Sequence, residues 1–297
     1  MFLKELFFYI FFNFFIVSAA NFEIYKFNKL DKKETFEFTI RGRLYNRIGL
    51  DIQYFINITC IRIENTNIDN LPNEFSYLKN LKCLFLYKNK FIKLPIVIGK
   101  LFSLKELNIN EPLLQEIRMN IAQLCDLKEL YITAKNNVEM PNIFHRLITL
   151  RKLFLYKVNL TKLYDFSKCK NLVEMNLIDN NLKHFPISIT KLKNLQQLCI
   201  IKNNLNKLPN SISRLQKLQY LFLHNTSLKN IPEKMGTMKN LIVLSLKNNL
   251  IKSLPLLMSN LQDTLFKLDL IGNKIKNRPV SYTCKIGTAK IKFKKIL

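Results

Sequence analysis

Leu81-Lys82-Cys83-Leu84-Phe85-Leu86-Tyr87-Lys88-Asn89-Lys90-Phe91-Ile92-Lys93-Leu94-Pro95-Ile96-Val97-Ile98-Gly99-Lys100-Leu101 sets an apolar frame at Leu81, Leu84, Leu86, Phe91, Leu94, Ile98 and Leu101. Leu84-x-Leu86 alternates as a strand with one buried face does, and the wider spacing after Asn89 fits a turn and a short return segment. The frame recurs in ten units opening at Ile58, Leu81, Leu104, Leu127, Leu150, Leu172, Leu195, Leu218, Leu241 and Leu265, the last decaying after Pro279. Pro72, Pro95, Pro141, Pro186, Pro209, Pro232, Pro255 and Pro279 all fall in one phase of it, spaced by 23, 46, 45, 23, 23, 23 and 24 residues. A repeated structural unit is the simplest cause.

One such unit is too small to bury its apolar positions alone, and stacking merges them into a continuous core. At ~4.8 Å per strand, ten parallel strands form a curved sheet roughly 45–50 Å long. The frame resembles the leucine-rich repeat, in the variant whose second half reads LPxxIxxL, as in Ras-suppressor, Scribble-like and plant Ras-group proteins. That resemblance implies an α/β repeat solenoid over residues 58–282: a horseshoe with a parallel concave sheet of about ten strands and short helical or irregular convex segments. It also implies that partners meet the sheet face.

Asn89, Asn180, Asn203, Asn249 and Asn273 stand where each strand ends. A carboxamide there both donates and accepts, so it satisfies turn backbone groups that the sheet leaves unpaired. Thr66 and Thr226 fill the slot in two units and can substitute with a hydroxyl. Pro112, Lys135 and Val158 fill it in three consecutive units, where Arg118 and Tyr164 also replace the proline. Leu104 to Asn171 is therefore the irregular middle, in which turn backbone groups are expected to be poorly paired. Drift in a tolerant solenoid and a specialised binding segment both account for it.

Residues 1–20 differ in kind. Phe7 to Val17 is apolar except for Asn13, with Lys4 before it and Ser18-Ala19-Ala20 after it. This pattern is that of a secretory signal peptide. The run falls short of the ~20 residues of a transmembrane span; an uncleaved anchor, and with it a membrane attachment, is the alternative. Residues 21–57 carry no visible repeat and are expected to cap the N-terminal end of the core, as residues 283–297 are expected to cap or tail the other. The closing Lys294-Lys295-Ile296-Leu297 matches a dilysine retrieval pattern, read as coincidence in a lysine-rich chain.

None of the six cysteines forms a CxxC or a zinc-ligand spacing. Cys60 and Cys83 occupy the same slot of adjacent strands, within disulfide reach but in an awkward parallel geometry, so two free thiols are expected. The cysteine-rich caps of many secreted leucine-rich-repeat proteins are missing. Asn57-Ile58-Thr59, Asn159-Leu160-Thr161 and Asn225-Thr226-Ser227 match the glycosylation acceptor pattern, a number that chance supplies in a chain so rich in asparagine.

The net charge of +26 invites a nucleic-acid or anionic-membrane reading. Placement argues against it. The fifty slots on or beside the predicted sheet hold eleven Lys or Arg against seven Asp or Glu. Much of the excess lies at the turn toward the outer side, as in Lys93, Lys162, Lys183, Lys207, Lys229, Lys252 and Lys276.

The sheet face is expected instead to present Phe85, Tyr87, Tyr131, Phe154, Tyr156, Tyr220 and Phe222, beside a column of Glu106, Glu129 and Glu174. Phe85, Tyr87, Phe154 and Tyr156 are taken as one cluster. Aromatics ringed by charge are the composition of a protein-binding patch, although strands favour aromatics in any case. His145, His184 and His224 have no nucleophile or carboxylate at a familiar spacing, and six scattered glycines exclude a phosphate-cradling loop. The reading is a non-enzymatic, secreted scaffold without a cofactor that binds a protein partner on its concave face. An intracellular signalling adaptor of the Ras-group or Scribble-like type is the alternative, and a fragment of an enzyme a distant third.

Overall fold

The computed structural model describes residues 37–135, 138–160 and 164–275. The expected signal segment, the first part of the expected N-terminal cap and the residues from 283 onward lie outside them. The strands are β1 (Glu37–Arg41), β2 (Cys60–Glu64), β3 (Cys83–Tyr87), β4 (Glu106–Asn110), β5 (Glu129–Thr133), β6 (Lys152–Tyr156), β7 (Glu174–Ile178), β8 (Gln197–Cys199), β9 (Tyr220–Phe222), β10 (Val243–Ser245) and β11 (Lys267–Asp269). They form one eleven-stranded sheet in sequence order, every neighbouring pair parallel.

The alternation read from Leu84-x-Leu86 is the observed one. In β2 to β6 the second and fourth residues are buried and the other three half-buried on the opposite face. One register repeats throughout, as in Leu84↔Leu107, Leu107↔Leu130 and Leu130↔Leu153. Because a one-residue slip would turn every leucine outward, this apolar column fixes the pairing.

Eleven strands exceed the ten counted in the sequence. The extra one, β1, lies within the segment expected to be a cap and pairs Phe38↔Ile61 and Ile40↔Ile63. Ile48, Ile52 and Ile58 follow it into the core. The unit escapes the sequence frame because Gly49 stands in the proline slot and exposed Arg43 in the asparagine slot.

Most units return from the sheet through a 3₁₀ turn of five or six residues, eight of them among the described residues. Six of the eight follow a proline, whose fixed φ near −65° suits the position and whose carbonyl accepts the turn's first hydrogen bond, as from Ile98 N to Pro95 O at 3.2 Å. Gly236 lets two such turns approach closely, because a Cβ there would collide with the backbone carbonyl of Leu257.

The asparagines form the ladder expected of them. Asn180 Nδ2 donates to Leu155 O at 2.8 Å while its Oδ1 accepts from Val158 N at 2.8 Å. Asn203 Nδ2 donates to Leu177 O at 2.7 Å, and its Oδ1 accepts from Leu182 N at 3.0 Å. The Thr66 and Thr226 hydroxyls donate to the carboxamide oxygens of Asn89 and Asn249.

The irregular middle is better paired than its sequence implies. In the regular units the residue before the asparagine slot has positive φ, as at Lys88, Asp179, Lys202 and Asn248, which turns its side chain outward. Pro112 disfavours that conformation in the residue before it, and Glu111 instead directs its carboxylate into the core, fully buried. There it accepts the hydrogen bonds of Asn89, taking the place of the missing carboxamide. Tyr164, in a proline slot, is buried and its hydroxyl donates to Met140 O at 2.9 Å. The irregularity appears on the convex side, where among the described residues no 3₁₀ turn separates β5 from β6 or β6 from β7.

Candidate functional site

The outward residues of the sheet lie in three columns, set by the first, third and fifth positions of the strands. The first runs Glu37, Cys60, Cys83, Glu106, Glu129, Lys152, Glu174, Gln197, Tyr220, Val243 and Lys267. Across all outward strand positions stand six carboxylates (Glu37, Glu64, Glu106, Glu129, Glu174, Asp269) and four cations (Arg41, Arg62, Lys152, Lys267). The face is thus slightly acidic in a chain of charge +26. Lys93, Lys183, Lys207, Lys229 and Lys252 are exposed away from it.

All ten candidate residues are strand residues on this face, but they do not form one patch. Phe85 and Tyr87 belong to β3, with ring centroids 6.1 Å apart. Phe154 and Tyr156 belong to β6, three strands away, or about 14 Å at the usual strand spacing. They are not a single cluster. Phe154 instead pairs in register with Tyr131 of β5, at 6.3 Å between centroids. Tyr220 and Phe222 of β9 form a third group, a further three strands along.

Each group has its own polar frame. Arg62, which the sequence reading passed over, pairs in register with Phe85 and sets its guanidinium 4.3 Å from that ring's centroid and 5.6 Å from that of Tyr87. Glu37 and Glu64 anchor it at 3.4 Å each. A cation stacked on aromatics and held by two carboxylates is a preorganised surface. The available signal was an arginine at the third strand position, one unit before Phe85.

At the second group Tyr131 donates its hydroxyl to Glu129 at 2.6 Å, and Lys152 meets the same carboxylate at 3.0 Å. Burial pushes Glu129 upward, but these two contacts outweigh it and hold the carboxyl below its ordinary range. Glu106, in register with Glu129, has neither contact; burial and then the charge of Glu129 raise it. Burial and the bond to Glu129 raise the Tyr131 phenol. Lys152 divides the expected glutamate column, separating Glu129 from Glu174, whose carboxylate accepts from Asn176 at 2.8 Å and Gln197 at 3.0 Å.

His224 lies against Ser245, Nδ1 to Oγ 3.4 Å, and Asp269 pairs in register with Ser245. The distance is long for a hydrogen bond, Ser245 is buried, and the Asp269 carboxylate accepts from Ile271 N. The three residues do not form a relay. Among the described residues no three or more His, Cys, Asp or Glu side chains converge as a metal site, and no helix is long and apolar enough to cross a membrane.

No protein-family model matches this chain, and no curated protein matches it. Solved structures do. An internalin from Listeria monocytogenes aligns with a TM-score of 0.61 at 17% identity, over 81% of this chain and 76% of its own. The Arabidopsis receptor kinase HAESA, in complex with the peptide hormone IDA and the co-receptor SERK1, aligns at 0.62 and 20% identity, over 82% and 47%. TLR13, in complex with ssRNA13, aligns at 0.63 and 21% identity, over 79% and 40%. At such identities the likeness concerns fold, and with the eleven-stranded parallel sheet it makes this chain a leucine-rich-repeat solenoid.

Proposed function

We propose that the protein is a secreted, non-enzymatic scaffold that binds a protein partner through its concave sheet. The observation that carries this reading is the Tyr131–Phe154 pair, half-buried on the outward face and flanked by Glu106, Glu129 and Lys152. Aromatics held in place by charged neighbours offer large contact area at low entropic cost. The acidic balance of the face favours a partner segment that brings lysine or arginine alongside apolar side chains. It opposes nucleic acid, whose phosphates would meet carboxylates.

A photo-reactive amino acid at Tyr87 or Tyr131, in protein exposed to the extracellular fluid of its source, is expected to crosslink a protein that the same group at Lys207 does not reach. Crosslinks at Lys207 alone would refute the face. For export, the expected mature N-terminus is Asn21. The five free cysteines among the described residues favour the second reading, an intracellular adaptor; an intact Met1 on protein from its native source would rule out cleavage and put that reading first, with recovery in the membrane or the soluble fraction separating it from an uncleaved anchor.

A further inference from the structure

We propose that Cys60 and Cys83 form a two-thiolate site for a soft monovalent d10 cation of the copper(I) class. The two residues pair directly in register at the first positions of β2 and β3, half-buried on the outward face, and both are free thiols. Glu37 and Glu106 occupy the flanking places in the column and add negative potential.

Geometry selects the occupant. In-register residues of neighbouring parallel strands sit about 4.8 Å apart with their side chains pointing the same way. That spacing is within the α-carbon range of a disulfide, but a disulfide also needs β-carbons about 3.8 Å apart and a Cβ–S–S–Cβ dihedral of roughly 90°, which two side chains pointing the same way from a ladder shared with β1 and β4 meet only with distortion. Two thiolates on one linear ion, with bonds no longer than the roughly 2.3 Å of a zinc–thiolate bond, span up to about 4.6 Å, close to the strand spacing. Thiolate softness favours copper(I). With no third His, Cys, Asp or Glu converging among the described residues, the tetrahedral set that zinc prefers is not offered. On binding, two S–H bonds break, two sulfur–metal bonds form and two protons pass to solvent; nothing is oxidised or reduced.

The test is an anaerobic titration of the full chain, reduced with a phosphine, with copper(I) supplied from a chromophoric competing chelator. One ion per chain is expected, with two sulfur neighbours in X-ray absorption. Cys60→Ser and Cys83→Ser should each abolish this binding while leaving the circular dichroism unchanged, and Cys125→Ser should retain it. As a readout free of mutation, bound ion should protect Cys60 and Cys83 from alkylation in the wild-type chain. Binding that survives either substitution, three or more sulfur neighbours, alkylation of both thiols in the loaded protein, or a Cys60–Cys83 disulfide formed readily from oxidised glutathione would each overturn the proposal.

Discussion

Glu111 and Asn89 are joined by two hydrogen bonds across neighbouring units: the carboxylate accepts from Asn89 N at 2.7 Å and from Asn89 Nδ2 at 2.7 Å. An acid thus closes a ladder built elsewhere from carboxamides. Asn89 still donates to Ile63 O at 2.9 Å and accepts from Thr66, so the ladder continues unbroken into the N-terminal units. A carboxylate accepts both bonds well, but burying its charge is costly.

Burial therefore pushes the Glu111 carboxyl up to about 7, the two Asn89 bonds offsetting part of the effect. In the unfolded chain the group titrates near its ordinary value of 4.5. Between the two values the folded state holds a proton that the unfolded state has released, so stability falls as pH rises through that window and levels off above it. Glu111→Gln removes this titration. From pH 5 to 8, urea unfolding should show wild type losing up to about 3 kcal/mol relative to the variant. Parallel profiles would mean that Glu111 keeps an ordinary pKa.

What the sequence made legible was whatever repeats. Leu84, Leu86, Asn89 and Pro95 each state one positional requirement, and across ten copies the two apolar positions state it ten times, the proline eight times and the asparagine five. Glu111 was invisible because its function depends on Pro112 altering the backbone before it, an exchange between adjacent positions that a fixed frame scores as a loss. β1 was invisible because, although Phe38 and Ile40 pack as the frame requires, Gly49 and Arg43 stand in its proline and asparagine slots. For the candidate site, facing direction followed from period two, but grouping did not. Which aromatics touch depends on strand number, and Tyr131 with Phe154 is the pair that adjacency brings together.

The poorly paired turns expected of the irregular middle would make it open first, and strand length argues the other way. β4, β5 and β6, in the irregular middle, are five residues long, whereas β8, β9 and β10 are three. In native-state hydrogen exchange the amides of Leu107, Leu130 and Leu153 should be protected at least as well as those of Leu198, Leu221 and Leu244. Faster exchange in the first set would show that the absent asparagines are not compensated.

The Asn180 side chain ties its own unit to the one before it. Asn180→Ala strands Val158 N and Leu155 O in the core and weakens the hold on Ile178 O. Losing several buried partners should cost about 2–4 kcal/mol in chemical denaturation. Asn204→Ala, at an exposed neighbouring position, should cost less than about 0.5 kcal/mol. Equal effects would deny the ladder its structural role.

The binding reading makes its sharpest claim at Tyr131 and Phe154. Replacing both with alanine removes two half-buried rings from the outward face and leaves Leu130, Ile132, Leu153 and Leu155 packed in the core, so the fold should survive while affinity for the crosslinked partner falls by about 2 kcal/mol or more. Lys207→Glu with Lys229→Glu reverses two charges on the outer turn, away from the sheet face. That change should act only through long-range attraction, shifting the association rate at low salt and little else. Titration calorimetry of both double variants separates the cases. If the lysine pair abolishes binding and the aromatic pair does not, the partner docks on the basic outer turn, and the sheet is a support for that surface.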